Sequence, residues 1–299
     1  MSHTWTLTKI RIRLAMRNRM FLFFSLIFPL GFLLFFSMVY GKGQSDNVAY
    51  VLGAVLTMTV MGSFWGLSVQ LVIFREQGIL RRFRLAPIGA GPILASSILS
   101  NYFLMLPTVA IEALICRWVF HMQTFGNVPV IFLLITVGSA AFSSFGLIVA
   151  SVTNTMQETQ IINQIIWMAF LFLSGATFPL TAFPVWIQRV ALYIPATYLA
   201  TGLEDATRNL SSNHADVYEA LIALTLGLGV AFEISRRIFR WEPEAKVPRT
   251  AKLWVLATLV PFLVFGTYEV TFGKRLEHIQ QNLHMLGNRD SQSEKAPQQ

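Results

Sequence analysis

Seven long apolar runs, at residues 20–40, 48–74, 93–119, 129–152, 159–178, 217–234 and 253–272, decide what this chain can become. A helix needs ~20 apolar residues to cross ~30 Å of hydrocarbon, and these runs are close to that length. Lipid offers no partner for an unpaired N–H or C=O, so each run must be helical. None shows the ~10-residue alternation of a membrane barrel. With 54% apolar and only 13% charged residues, a soluble domain is excluded. The expected class is an all-α polytopic membrane protein.

Basic residues orient the runs. Lys9, Arg11, Arg13, Arg17 and Arg19 precede the first, which exceeds the 7–15-residue core of a cleavable signal peptide and lacks a small-x-small site. With the amino terminus inside, the inner segments 1–20, 75–91, 153–158 and 236–252 carry 15 Lys and Arg. The outer segments 41–47, 117–127, 180–216 and 273–299 carry 8. Residues 1–19 fit both strand and helix periods; a basic stretch entering a span is expected as an amphipathic helix along the anionic inner leaflet. Residues 241–272 read as an inner linker and a seventh span. Pro261, Gly266 and Glu269 leave open that this last run folds back, returning the carboxyl terminus inside. The polar tail 273–299 ends in a nearly apolar-free stretch, Asn288 to Gln299, expected to be disordered.

Chemistry is sparse. His3, His121, His214, His278 and His284 all lie away from span centres, and Cys116 is the lone cysteine, so neither a metal site nor a disulfide framework is expected. HExxH, GxSxG and paired acids within one span are missing, which argues against a catalytic centre. No GxxxxGK[ST] loop holds ATP phosphates, so ATP-driven work would use another chain's ATPase. The net charge of +8 is explained by basic span ends rather than by nucleic acid. Glu112, two thirds along the third run, is the one deep charge, a candidate intramembrane site unless it meets Arg117 or water near the outer interface. Glu219, Glu233 and Glu269 lie near span ends.

Two segments stand out. FREQGILRRFRLAP, Phe74 to Pro87, packs five charges between two spans. On a helical wheel Ile79, Leu80, Phe83 and Ala86 share an arc opposite Arg75, Arg81, Arg82 and Arg84. Glu76 falls inside the apolar arc with no cation three or four residues ahead, so its partner must come from elsewhere. Pro87 and Gly89-Ala90-Gly91-Pro92 end this helix. The second segment, LSGATFPLTAFPVWIQRVALYIPATYLATGLEDATR, Leu173 to Arg208, is broken by Pro179, Pro184 and Pro195. It fits two short helices dipping into the outer leaflet, with Trp186, Tyr193 and Tyr198 at headgroup depth, or an outer loop anchored by aromatics.

Together with the first-span entry LAMRNRMFLFFSLIFPL, where Arg17, Asn18, Arg19 and Pro29 stand out, these segments resemble the type-2 ABC transporter (ABC-2 type) permeases of bacterial exporters from Lys9 to about Arg240. The resemblance implies a six-helix transmembrane domain over residues 20–240, in the bacterial inner (plasma) membrane. It also implies pairing with a second permease copy or homologue and with a separate ATP-binding subunit that holds ATP and Mg. Carried over, Glu76, Gly78, Arg81, Arg82, Arg84 and Pro87 in 75–87 belong to a coupling helix. Gly175, Pro179, Pro184, Trp186, Pro195, Thr197 and Tyr198, around the re-entrant segment 179–204, belong to an outer gate. The part after Arg240 departs from the six-span pattern. The rivals are a secondary transporter, for which midplane charges and inverted repeats are expected, and an integral-membrane enzyme.

Overall fold

The computed structural model describes residues 2–17, 19–40, 45–84, 89–208, 214–242 and 251–273. Every regular element among them is helical. In order these are α1 (Ser2–Arg17), α2 (Arg19–Tyr40), α3 (Ser45–Glu76), α4 (Ile79–Arg84), α5 (Ala90–Trp118), α6 (Val128–Val152), α7 (Met156–Leu173), a 3-10 turn (Leu180–Ala182), α8 (Val185–Ala191), α9 (Pro195–Arg208), α10 (His214–Arg237), α11 (Ala251–Ala257) and α12 (Val260–Thr271). Among the described residues, five stretches are long and apolar enough to cross a membrane: Asn47–Glu76, Ala90–Trp118, Val128–Val152, Asp216–Arg237 and Leu253–Thr271. The protein is thus an all-helical, multi-pass membrane domain. α2 also carries an apolar stretch, Ser25–Val39.

α3 forms the axis. It is apolar around most of its circumference and almost wholly buried, packing against α2, α5, α6, α7 and α9. Its tightest neighbour is α6, where Gly146 lets the two backbones touch: a Cβ there would overlap the Phe64 carbonyl oxygen. Pro29 has no N–H for the Ser25 carbonyl one turn back, and the Thr108 hydroxyl on α5 donates to that carbonyl at 3.4 Å. A carbonyl left without its partner in one helix thereby becomes a bond to the next.

Several boundaries differ from those read in the sequence. The helix from α3 does not continue through 75–87. It stops at Glu76, and Gly78 turns the chain at φ +68° before α4. That left-handed conformation suits glycine, which has no Cβ to clash. α7 ends at Leu173, with residues 174–178 in bends rather than helix. The last run breaks at Thr258–Leu259 because Pro261, in the first turn of α12, cannot donate a backbone hydrogen bond. α1 packs against α5, with Trp5 edge-on to Phe103 and the buried Arg11 guanidinium over the Phe74 ring. Burial pushes Arg11 down to about 10. The tail from 274 onward lies outside the described residues.

Candidate functional site

At one end of the bundle, the turn at Gly78 leaves α4 as a short basic helix. Leu80 is fully buried and Phe83 partly so, against Leu67, Leu71, Val72, Leu94, Leu147 and Ala150. Arg81 and Arg82 are exposed. The amphipathic arc read from the sequence is therefore present over residues 79–83, and Ala86 lies outside the described residues. The side chain of Arg84 and all of Pro87 lie outside the described residues.

Arg75 and Glu76 do not share that helix, so their wheel positions are corrected. Both belong to the last turn of α3, on the other side of the Gly78 turn. Arg75, expected on the polar face, is buried. It donates to the carbonyls of Ala150 at 2.7 Å and Thr153 at 2.6 Å, capping the end of α6. Those carbonyls are among the acceptors a helix end leaves unbonded, and a guanidinium there also meets the negative end of the helix dipole. Arg240 donates to the same Thr153 carbonyl and to Asn154 Oδ1. Burial holds the proton affinity of Arg240 below its ordinary value, with Glu158 opposing.

The partner of Glu76 is the backbone N–H of Met156, which donates to its carboxylate at 2.8 Å. That N–H opens α7, whose positive dipole end favours an anion. Thr155 accepts from Glu158 N–H while Glu158 accepts from Asn154 N–H, a reciprocal arrangement close to a capping box. Thr159 closes the corner through the Thr153 hydroxyl. The α6–α7 loop is thus gripped by α3 through two adjacent side chains of opposite charge and by the chain after α10 through a third.

Glu112 does not meet Arg117. It is fully buried between α5 and α3, where Thr59 donates to it at 2.6 Å, and Arg117 instead donates to the carbonyls of Met122 and Gln123. Of the two alternatives read from the sequence, the pairing with Arg117 is absent, because distance along one helix does not reveal what packs beside it. The same seam is joined by Ser63, which donates to Met105 Sδ, and by Asn101, which donates to the Ser63 carbonyl and also to Ser143 of α6. On another face of α3, Asn163 of α7 donates to Ser68.

At the other end lies the proline-rich segment. Gly175 turns at φ +88°, and a Cβ there would press on Leu180 at 3.0 Å. Pro179 precedes the 3-10 turn, Pro184 precedes α8 and Pro195 opens α9, each where a missing N–H costs nothing. The first turn of α9 reaches back to α8: Thr197 donates to the Ala191 carbonyl at 2.6 Å, and Tyr198 to Leu192 at 2.8 Å. Tyr198 is completely buried within the bundle, whereas Trp186, at 68% exposure, is open. Tyr193 is half-buried.

Helix α12 joins this end. Trp254 of α11 lies under Arg237, and Phe262 reaches Phe145 and Tyr198, so the last run returns along α10 toward α8 and α9. Sequence reading missed Arg240, Thr59 and Phe262. Nothing in the chain marks them, since each matters only for what it touches. Among the described residues no cluster of His, Cys, Asp or Glu could hold a metal.

An ABC-2 type transporter model matches residues 2–206, and the chain belongs to that family. It is 22% identical over 188 residues to ABC transporter G family member 20 of Dictyostelium discoideum, covering 62% of this chain and 26% of that protein. Over 151 residues it is 22% identical to "Probable multidrug ABC transporter permease YbhR" of Escherichia coli K12, covering 50% and 41%. Over 169 residues it is 22% identical to the linearmycin resistance permease protein LnrN of Bacillus subtilis, covering 56% and 43%. The chain thus spans less than half the length of these relatives.

Proposed function

We propose that this chain is the membrane-spanning permease subunit of an ABC exporter, driven by a separate ATP-binding subunit that holds ATP and Mg. It works beside a second permease copy or homologue, within the lipid of a bacterial inner membrane, and moves its cargo outward by alternating access. The observation that carries this reading is α4, with Leu80 and Phe83 anchored in the bundle and Arg81 and Arg82 free to meet a partner. Nucleotide-driven motion can shift a membrane domain only through a contact whose affinity differs between two states. A rigidly anchored basic helix on the cytoplasmic side supplies one.

The grip of Arg75 and Glu76 on the α6–α7 loop gives displacement of α4 a path into α3, α6 and α7. At the far end, Pro179, Pro184 and the Pro195–Tyr198 turn form the outer gate. The names of the two permease relatives, one multidrug and one for linearmycin resistance, make an apolar or amphipathic small molecule the favoured cargo.

Affinity purification of the full chain from its native host should bring down an ATP-binding subunit. Arg81→Glu with Arg82→Glu should abolish that association while the permease still inserts. Transport in vesicles that persists without ATP would overturn the reading. Glu76→Arg should uncouple ATP hydrolysis from transport, because it places a cation at the positive end of α7.

A further inference from the structure

α12 lies beyond the region that the family model matches, yet it is keyed into the proline-rich end by two complementary fits. Phe262 is fully buried. Its ring meets Phe145 of α6 edge-on at 5.8 Å and Tyr198 of α9 at 6.1 Å. The space it fills exists because residue 227 on α10 is glycine: a Cβ there would stand 2.6 Å from Phe262 Cζ. One turn further on, the fit is reversed. Gly266 of α12 receives the Tyr193 ring, and a Cβ there would stand 2.5 Å from its Cδ1. Phe265 lies edge-on to Tyr198 at 6.4 Å.

Tyr193 and Tyr198 flank the turn that joins α8 to α9, so α12 holds that turn from both sides. We infer that α12 is a strap on the outer segment, and that Phe262 is a positioning residue that keeps the α8–α9 turn in its closed arrangement. A ring seated in a glycine hollow has two states, seated or withdrawn, because a packed interior does not deform continuously. Any rearrangement that carries Tyr198 away from α6 must therefore unseat Phe262, and displacement of Tyr193 must part it from Gly266. The transport half of this proposal rests on reading the segment as a gate; the positional half does not.

Hydrogen exchange on the full-length protein tests the positional half. Phe262→Ala should raise exchange of the amides in Val185–Tyr198 by about tenfold or more, with α3 and α6 unchanged. Unchanged exchange in that stretch, or a uniform rise across the bundle, overturns the strap. Because Phe262→Ala could fail to fold, a second arm locks the contact instead, in a Cys116→Ala background. A Cβ on Gly266 would lie 2.9 Å from Tyr193 Cγ, so the Cβ of residue 193 is at most one bond further, within reach of a disulfide.

Oxidised Gly266→Cys with Tyr193→Cys should cross-link, stop transport and keep the ATP-binding subunit bound, with transport restored by reductant. Failure to cross-link overturns the proposed contact. Transport that continues while cross-linked overturns the strap and leaves the permease reading standing. Absence of ATP-dependent transport in the unsubstituted protein sinks the permease reading instead, and the exchange result then decides the strap alone.

Discussion

The two ends of the bundle are held by different physics. At the α4 end, charged side chains bind backbone: Arg75 and Arg240 on the Thr153 carbonyl, and Glu76 on the Met156 N–H. At the α8–α9 end, aromatic rings fill hollows, and the polar contacts are neutral side chains on carbonyls: Thr197 on Ala191, Tyr198 on Leu192 and Gln188 on Phe183. Polar grips tolerate rigid-body displacement of the elements they join, because one long side chain can follow a moving carbonyl. Seated rings do not. The difference fits the roles proposed above for the two ends, transmission at one and switching at the other.

Stability measurements can break this contrast, starting with the substitution of largest effect. Tyr198→Ala should cost about 3–5 kcal/mol by leaving a cavity beside Phe262 and Phe265, read as a drop in Tm in detergent. Should Arg75→Leu prove more damaging, the aromatic end would not be the more tightly packed one. Arg75→Leu should cost about 2–3 kcal/mol, since the Ala150 and Thr153 carbonyls lose a charged donor.

Tyr198→Phe keeps the ring and removes only the bond to Leu192, so about 1 kcal/mol is expected; a loss as large as that of the alanine variant would show the hydroxyl, not the ring, to be the anchor. Glu76→Gln retains an oxygen for the Met156 N–H and loses the charge at the start of α7, about 0.3–1 kcal/mol. Smallest of all, Arg81→Ala should change the melting temperature by an amount equivalent to no more than about 0.5 kcal/mol, and on the proposed function it should weaken capture of an ATP-binding subunit in a pull-down. A large thermal effect there would mean that Arg81 serves the fold and not a partner.

Much of this arrangement is legible in the order of residues. The apolar runs locate the helices, because hydrocarbon leaves no alternative. The amphipathic arc of α4 and the prolines of the far segment mark both ends of the bundle. Side-chain company is what the linear pattern misplaces. A helical wheel assumes one unbroken helix from Phe74 onward, and Gly78 breaks it, which moves Arg75 and Glu76 onto the end of α3. Glu112 looks close to Arg117 along the chain, yet Thr59 on another helix holds it.

Length, hydrophobicity and backbone chemistry are local properties, so the sequence by itself determined an all-helical membrane domain with a basic element at one end and a proline-broken segment at the other. Partners are not local. That Glu76 caps α7, that Arg75 and Arg240 share one carbonyl, and that Phe262 seats beside Tyr198 depend on residues distant in the chain meeting in space. Only the packing of helices around α3 decides which of them meet.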